Sequence, residues 1–181
     1  MDGTLCNYEA ALLNSLNELK GPKEKILKIL PHKSKIPAYL KARVDLIRDN
    51  TKWWINIPPL PLGMQLWRVA GEIGFRRMIL THGSRRYPKS WMAKKMWIDK
   101  YLGSDVDITI TRDKGLVYGR VLVDDWPDYI IRWAKWMPRG LIVMPDGKHN
   151  QGFEHDQVIR YDGNNFEKVA GVLQDKFDFI N

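Results

Sequence analysis

These 181 residues contain a single cysteine, Cys6, which excludes an internal disulfide framework and fits a reducing compartment. Long apolar runs are lacking too. None approaches the ~18 residues that a membrane helix needs, and the acidic start Met1-Asp2-Gly3-Thr4 has neither the basic nor the apolar region of a signal peptide. These absences predict a cytoplasmic protein with no membrane partner. Repeats and low-complexity tracts are absent as well. What is abundant is positive charge: 29 Lys and Arg against 21 Asp and Glu leave a net +8. That excess favours anionic partners without choosing among a nucleotide, a polynucleotide and an acidic surface. Much of it lies in residues 20–41, with further pairs at Arg76-Arg77, Arg85-Arg86 and Lys94-Lys95, and such runs are most often solvated helix faces.

The length and the 44% hydrophobic content suit one substantial core with a small insertion. Apolar spacing predicts helices over residues 8–20, 25–30 and 37–49 and no strand between Leu5 and Ile57, so residues 8–57 read as a helical cap inserted into a core made of residues 1–7 and 58–181. From Leu62 onward helix and strand alternate. Helices are expected over residues 62–73, 88–102 and 127–136, and strands over 77–80, 107–111, 120–123, 141–144 and 158–161, with a final helix capped by Asn164 or Asn165. The alternation predicts an α/β fold: a Rossmann-like, mostly parallel sheet with helices on both faces and a small helical cap.

The most informative stretch is TRDKGLVYGRVLVDDWPD, residues 111–128. Its short β-branched run has the composition of a buried parallel strand and ends in two adjacent carboxylates, Asp124 and Asp125. Side-by-side acids repel unless a cation or donor sits between them, so a hard divalent metal such as Mg²⁺ is one explanation and a solvated strand-end turn is the other. Lys114 lies where a cation could reach a phosphate held by the same metal. Earlier in the chain, a strand runs into Thr81-His82-Gly83, whose hydroxyl and consecutive N–H groups can hold a phosphoryl oxygen, although Thr before Gly is also common turn chemistry. Trp53 and Trp54 precede the turn at residues 57–61; they are either a stacking platform for a nucleobase or core aromatics. His149 and His155, near Asp146 and Asp156, match no standard zinc spacing and read as a solvated loop.

Met1-Asp2-Gly3-Thr4-Leu5 is what remains of DxDGT without its first residue. With MILTH at residues 78–82, TRDK at 111–114 and LVDDWPD at 122–128 it reproduces a four-motif order. In this the chain resembles the haloacid-dehalogenase-like phosphohydrolases, and among them the 5′(3′)-deoxyribonucleotidases; WIDKYLG at 97–103, PLP at 59–61 and KHNQ at 148–151 add to the likeness. The resemblance implies a Mg²⁺-dependent phosphatase of (deoxy)nucleoside monophosphates working through an aspartyl-phosphate. Asp2 would be the acid/base, Thr81, His82, Gly83 and Lys114 would bind phosphate, and Asp2, Asp124 and Asp125 would serve the metal, with Asp124 supporting from behind. Trp53 and Trp54 would line the base pocket.

One departure matters. The attacking Asp of the pattern falls immediately before Met1, and the apolar strand that should precede it is absent, so the chain is expected to be inactive as it stands and to begin inside a longer protein. By the same resemblance the absent strand lies between the strand ending at Thr81 and the one ending at Asp124. Neighbouring strands lie ~4.8 Å apart, so those two should flank a slot about 10 Å across, which leaves room for a strand donated by a partner chain or for a homodimer. The alternative function is a polynucleotide phosphatase, or a non-catalytic nucleic-acid-binding relative.

Overall fold

Among the described residues every strand pairing is parallel. The computed structural model describes residues 1–31 and 36–179. Its helices are α1 (Tyr8–Glu18), α2 (Ala38–Arg48), α3 (Thr51–Ile55), α4 (Pro61–Ile73), α5 (Lys89–Tyr101), α6 (Pro127–Trp136) and α7 (Phe166–Asp178), and its strands are β1 (Ile79–Thr81), β2 (Ile108–Ile110), β3 (Val121–Val123), β4 (Leu141–Pro145) and β5 (Val158–Tyr161). Two compact units result: one holds Met1–Leu5, Pro59–His82 and Asp107–Asn181, the other Cys6–Pro58 and Gly83–Val106. Among the described residues no helix is long and apolar enough to cross a membrane.

The first unit carries all five strands, in two sheets ordered β1-β2 and β3-β4-β5. Successive side chains of a strand point to opposite faces, and the larger sheet shows it. Val121, Val123 and Val143 face α4 and α7, packing with Leu66, Val69, Val169 and Leu173. Leu122, Ile142 and Met144 face α6, packing with Ile130 and Trp133. Strands buried on both faces need helices on both faces, and the apolar runs seen in the sequence are the result. Burying a side chain the size of Ile130 or Ile142 contributes about 1.5–3 kcal/mol.

Local chemistry explains the boundaries. Pro61 and Pro127 stand in the first turns of α4 and α6, where a missing N–H costs nothing. Strand β1 begins at Ile79 rather than Arg77, its first ladder bond being the Ile79 N–H to the Asp107 carbonyl at 2.9 Å, and the Arg77 guanidinium donates to the Trp67 carbonyl at 2.6 Å and lies over the Trp67 ring. The expected helix at residues 25–30 does not form. Asn17 instead accepts from the Leu27 N–H at 2.8 Å and donates to its carbonyl at 2.9 Å, so this short run between prolines is pinned as a loop. Asn165 precedes α7 but gives it no side-chain cap; its carboxamide oxygen accepts from the Asp162 N–H instead.

The second unit is helical. Leu12 and Leu16 of α1 pack against Leu40, Val44 and Ile47 of α2. The indole of Trp97, on α5, is fully buried and donates to the Ile57 carbonyl at 2.7 Å. Part of the basic run at 20–41 falls on residues 32–35, outside the described residues, while Lys20, Lys23, Lys25 and Lys41 are exposed as a solvated face would be.

The two sheets of the first unit do not join. Among the described residues β1 pairs with β2, β3 pairs with β4, and no backbone hydrogen bond links β1 to β3. Residues of both strands instead line one cavity of about 900 Å³.

Candidate active site

The carboxyl ends of the parallel strands bring most of the chemistry-bearing residues together, the place where open α/β sheets bind ligands. Thr81 closes β1 and is 1% exposed. Lys114 opens a short 3₁₀ turn after β2, and the Asp113 side chain shapes that turn by accepting the Gly115 N–H at 3.0 Å. Asp124 and Asp125 follow β3, and a turn after β4 carries His149 and Asn150.

The two adjacent acids have different surroundings. Asp124, 2% exposed, accepts from the Lys114 ammonium, itself 4% exposed, and from the Trp126 N–H at 3.0 Å. The cation that relieves its charge is therefore a residue of the chain. Lys114 also sits over the Tyr129 ring, 4.6 Å from its centre, and the Tyr129 hydroxyl meets His82 Nδ1 at 2.6 Å. Burial pushes the Tyr129 hydroxyl pKa up, and the charges of Asp124 and Asp2 push it the same way. His82, next to Thr81 in the chain, thus meets the same tyrosine that Lys114 faces.

Asp125 is held from three sides. One carboxylate oxygen accepts from the Thr4 hydroxyl at 2.7 Å and the other lies 2.9 Å from His149 Nε2, while its backbone carbonyl accepts from the Asn150 amide at 3.0 Å. The His149 ring stacks on Trp126 with centres 5.4 Å apart. Gly3, at φ +77°, lets the Asp2-Gly3-Thr4 loop pass directly over this acid; a Cβ there would lie 2.2 Å from Asp125 Oδ2. Burial alone would raise the Asp125 pKa, but hydrogen bonds from His149 and Thr4, with the positive amino terminus, outweigh it and hold the carboxyl below the ordinary aspartate range.

Such a group stabilises the fold above its unfolded pKa of about 3.9, and that contribution is lost as pH falls through the lower folded value. Asp125→Asn is accordingly expected to cost about 1.5–3 kcal/mol at neutral pH and to flatten the acid limb of a stability profile below pH ~4. Urea midpoints measured from pH 7 down to pH 2.5 would reveal it; an acid limb unchanged in the variant would assign the low-pH loss to another group.

Asp125 itself offers hard oxygens of the kind a divalent cation takes, and both of its carboxylate oxygens are already held, one by the Thr4 hydroxyl and the other by His149 Nε2. Among the described residues no three His, Cys, Asp or Glu side chains form a group that could hold a metal ion.

His149 was expected in a solvated loop. It lies in the site instead, because the turn after β4 is tied to the site by the Asn150 contact with Asp125 and by Arg160, which donates to Asn150 Oδ1 at 3.0 Å and pairs with Asp146 at 2.6 Å. KHNQ was the only sequence signal for it. Thr4 and Tyr129 gave none as ligands of an acid or a lysine. Gly83 opens the second unit's stretch Gly83–Val106, and Trp53 and Trp54 also belong to that unit. There they pack on each other and on Tyr8; Trp54 is buried, with its indole N–H donated to the Arg48 carbonyl at 2.7 Å, and Trp53 donates to the Ser15 hydroxyl at 3.1 Å.

No protein-family model matches the chain. Two curated relatives align over 179 residues, 95% of this chain and 94% of each relative: one from Bordetella pertussis at 25% identity and one from Bordetella bronchiseptica at 24%, both named "Putative 5'(3')-deoxyribonucleotidase". A third with the same name, from Bordetella parapertussis, is 28% identical over 121 residues, 65% of this chain and 62% of that one. The chain is therefore a distant relative, over most of its length, of proteins named for a phosphatase activity on deoxyribonucleotides.

Proposed function

We propose that this chain is the body of a Mg²⁺-dependent phosphomonoesterase of the haloacid-dehalogenase-like type, acting on (deoxy)nucleoside monophosphates. The observation that carries the proposal is the buried Lys114–Asp124 pair followed by Asp125, which is held by Thr4 and His149 under the Asp2-Gly3-Thr4 loop, at the carboxyl ends of parallel strands. The names of the Bordetella relatives point to the same substrate class.

In this proposal the Lys114 ammonium offsets charge on the phosphoryl group, and the ends of β1 at Thr81 and His82 bind its oxygens. Asp125 and the Asp2 carbonyl would hold Mg²⁺, with Asp124 orienting Lys114; when bound, the ion would neutralise phosphoryl charge. The attacking carboxylate is the first Asp of DxDGT, which these residues do not include. As it bonds to phosphorus, the ester P–O bond breaks and Asp2 gives its proton to the leaving nucleoside oxygen; Asp2 then takes a proton from the water that releases phosphate.

The test places an apolar strand ending in Asp directly before Met1. The extended chain is expected to release phosphate from deoxynucleoside monophosphates when Mg²⁺ is supplied, and the 181-residue chain to show negligible turnover. In the extended chain Asp2→Asn should lower kcat by about 10²–10⁴ with nucleotide binding retained. Silence of the folded, extended chain on all mononucleotides would overturn the proposal, and robust turnover by the unextended chain would show that another group attacks. The net charge of +8 and the exposed lysines near residues 20–28 favour polynucleotide binding as the second reading. Affinity for single strands that falls steeply with salt, without mononucleotide hydrolysis, would select it.

A further inference from the structure

We propose that residues 20–29, in the loop between α1 and α2, form a docking surface for an anionic lipid bilayer, with Ile26 and Ile29 entering the headgroup region and Lys20, Lys23, Lys25 and Lys28 meeting the lipid anions. Nothing in this depends on the phosphatase reading. Exposure along the loop has a period of three: Gly21, Glu24, Leu27 and Leu30 are half-buried, and the residues between them, from Pro22 to Ile29, are all exposed. Leu27 and Leu30 pack on the core formed by Leu12 and Leu16 of α1 with Leu40 and Val44 of α2, and Asn17 takes both backbone groups of Leu27. The outward side chains therefore stand on an anchored backbone, so much of the cost of ordering them is met before any partner binds.

Two features of the outward set need a partner to explain them. Ile26 and Ile29 are 67% and 65% exposed, although each stands beside a leucine that the fold does bury. The charge around them is of one sign. Glu24, the one acid between Leu19 and Ile36, is turned onto the protein, where it accepts from the Arg43 guanidinium at 2.6 and 3.0 Å and from the Gly21 N–H at 2.9 Å. That pair is neutral together. Against the four exposed lysines stands Glu18, an exposed acid at the end of α1. These lysines also carry the second reading of function, and the side chains between them decide the partner. Bases of a polynucleotide stack on aromatic rings, and residues 19–30 include none. An anionic bilayer presents charge and an apolar boundary within a few ångströms of each other, which is what alternating lysine and isoleucine match. Tyr39 lines a small cleft with Lys20, Lys25 and Leu27, and is itself exposed, with the Arg43 guanidinium 5.3 Å from its ring centre. An amphipathic ring of this kind suits the headgroup level. No helix among the described residues can cross a bilayer, and a surface contact needs none.

The experiment sediments the 181-residue protein with vesicles of phosphatidylcholine alone and of phosphatidylcholine with about 30% phosphatidylserine, at about 0.1 M salt. Partitioning onto the mixed vesicles is expected to exceed that onto phosphatidylcholine by about tenfold or more and to fall as salt rises. Ile26→Ser with Ile29→Ser should lower it by about tenfold or more, and Lys25→Glu with Lys28→Glu should abolish it. Met92→Ser with Met96→Ser, which changes exposed apolar side chains of α5, should leave it unaltered. Melting temperatures check that the variants fold, and each isoleucine is also replaced singly, at an expected loss of about threefold, so that a pair that unfolds does not remove the test. Absence of partitioning, equal partitioning onto both kinds of vesicle, or a serine pair without effect overturns the proposal. So does a single-stranded oligodeoxythymidylate that outcompetes the mixed vesicles and binds the serine pair equally well, which would make the surface a polynucleotide site.

Discussion

Replacing Lys114 by alanine is expected to destabilise the protein by about 3–5 kcal/mol, because Asp124 is left as a buried charge without its counter-ion. Both partners are nearly inaccessible and hydrogen-bonded to each other, and the Lys114 ammonium also faces the Tyr129 ring. The loss should come from stranding one charge rather than from the net worth of the pair, and that distinction is measurable. Asp124→Asn should also be costly, whereas the double variant Lys114→Ala with Asp124→Asn should be less damaged than the two single effects combined, since no unpaired charge remains. Urea unfolding of the four proteins closes the cycle. Strict additivity would mean that the pair does not interact in solution.

Gly63→Ala is expected to be the most damaging of the single methyl additions. Gly63 lies in α4 against the loop that carries the site, and a Cβ there would stand 1.9 Å from the Thr4 carbonyl oxygen and 3.1 Å from the Leu5 Cα. Both are backbone atoms, and the loop is tied in place by the Leu60 N–H to Leu5 carbonyl bond of 2.8 Å, so no side-chain rotation relieves the clash. Overpacking of this kind costs about 1–3 kcal/mol or more, and it moves Thr4 off Asp125. Gly171→Ala is the control: nothing lies within 4 Å of a Cβ at that place in α7, so the better helix former should gain about 0.5–1 kcal/mol. Thermal melts of the two variants should shift in opposite directions; similar shifts would contradict the close approach at Gly63.

Periodicity made α6 and β5 legible to the residue, because apolar spacing and Pro127 mark one and a β-branched run marks the other. It failed at residues 25–30, where helical spacing was present but Asn17, ten positions away in the chain, took both backbone groups of Leu27. Long-range capture of that sort leaves no local trace. The site divided along the same line. Thr81, Lys114, Asp124 and Asp125 stood out because each ends or follows a strand, and strand ends are where polar groups meet without unpairing a ladder. His149 was passed over, since a histidine in a polar loop carries no signal of the carboxylate it will meet 24 positions away.

What the sequence determined by itself was the α/β alternation, the parallel sheet that buried apolar runs demand, and the acids, lysine and threonine at the strand ends. Tertiary structure alone decided how the two acids differ: packing put Lys114 on Asp124 and Thr4 with His149 on Asp125, so that neighbours in the chain became unlike in their surroundings. It also decided the partners in the sheet, β1 with β2 and β3 with β4. Strand pairing is chosen by which edges meet once helices have covered both faces, and that choice is made between segments distant in sequence, where no local propensity reaches.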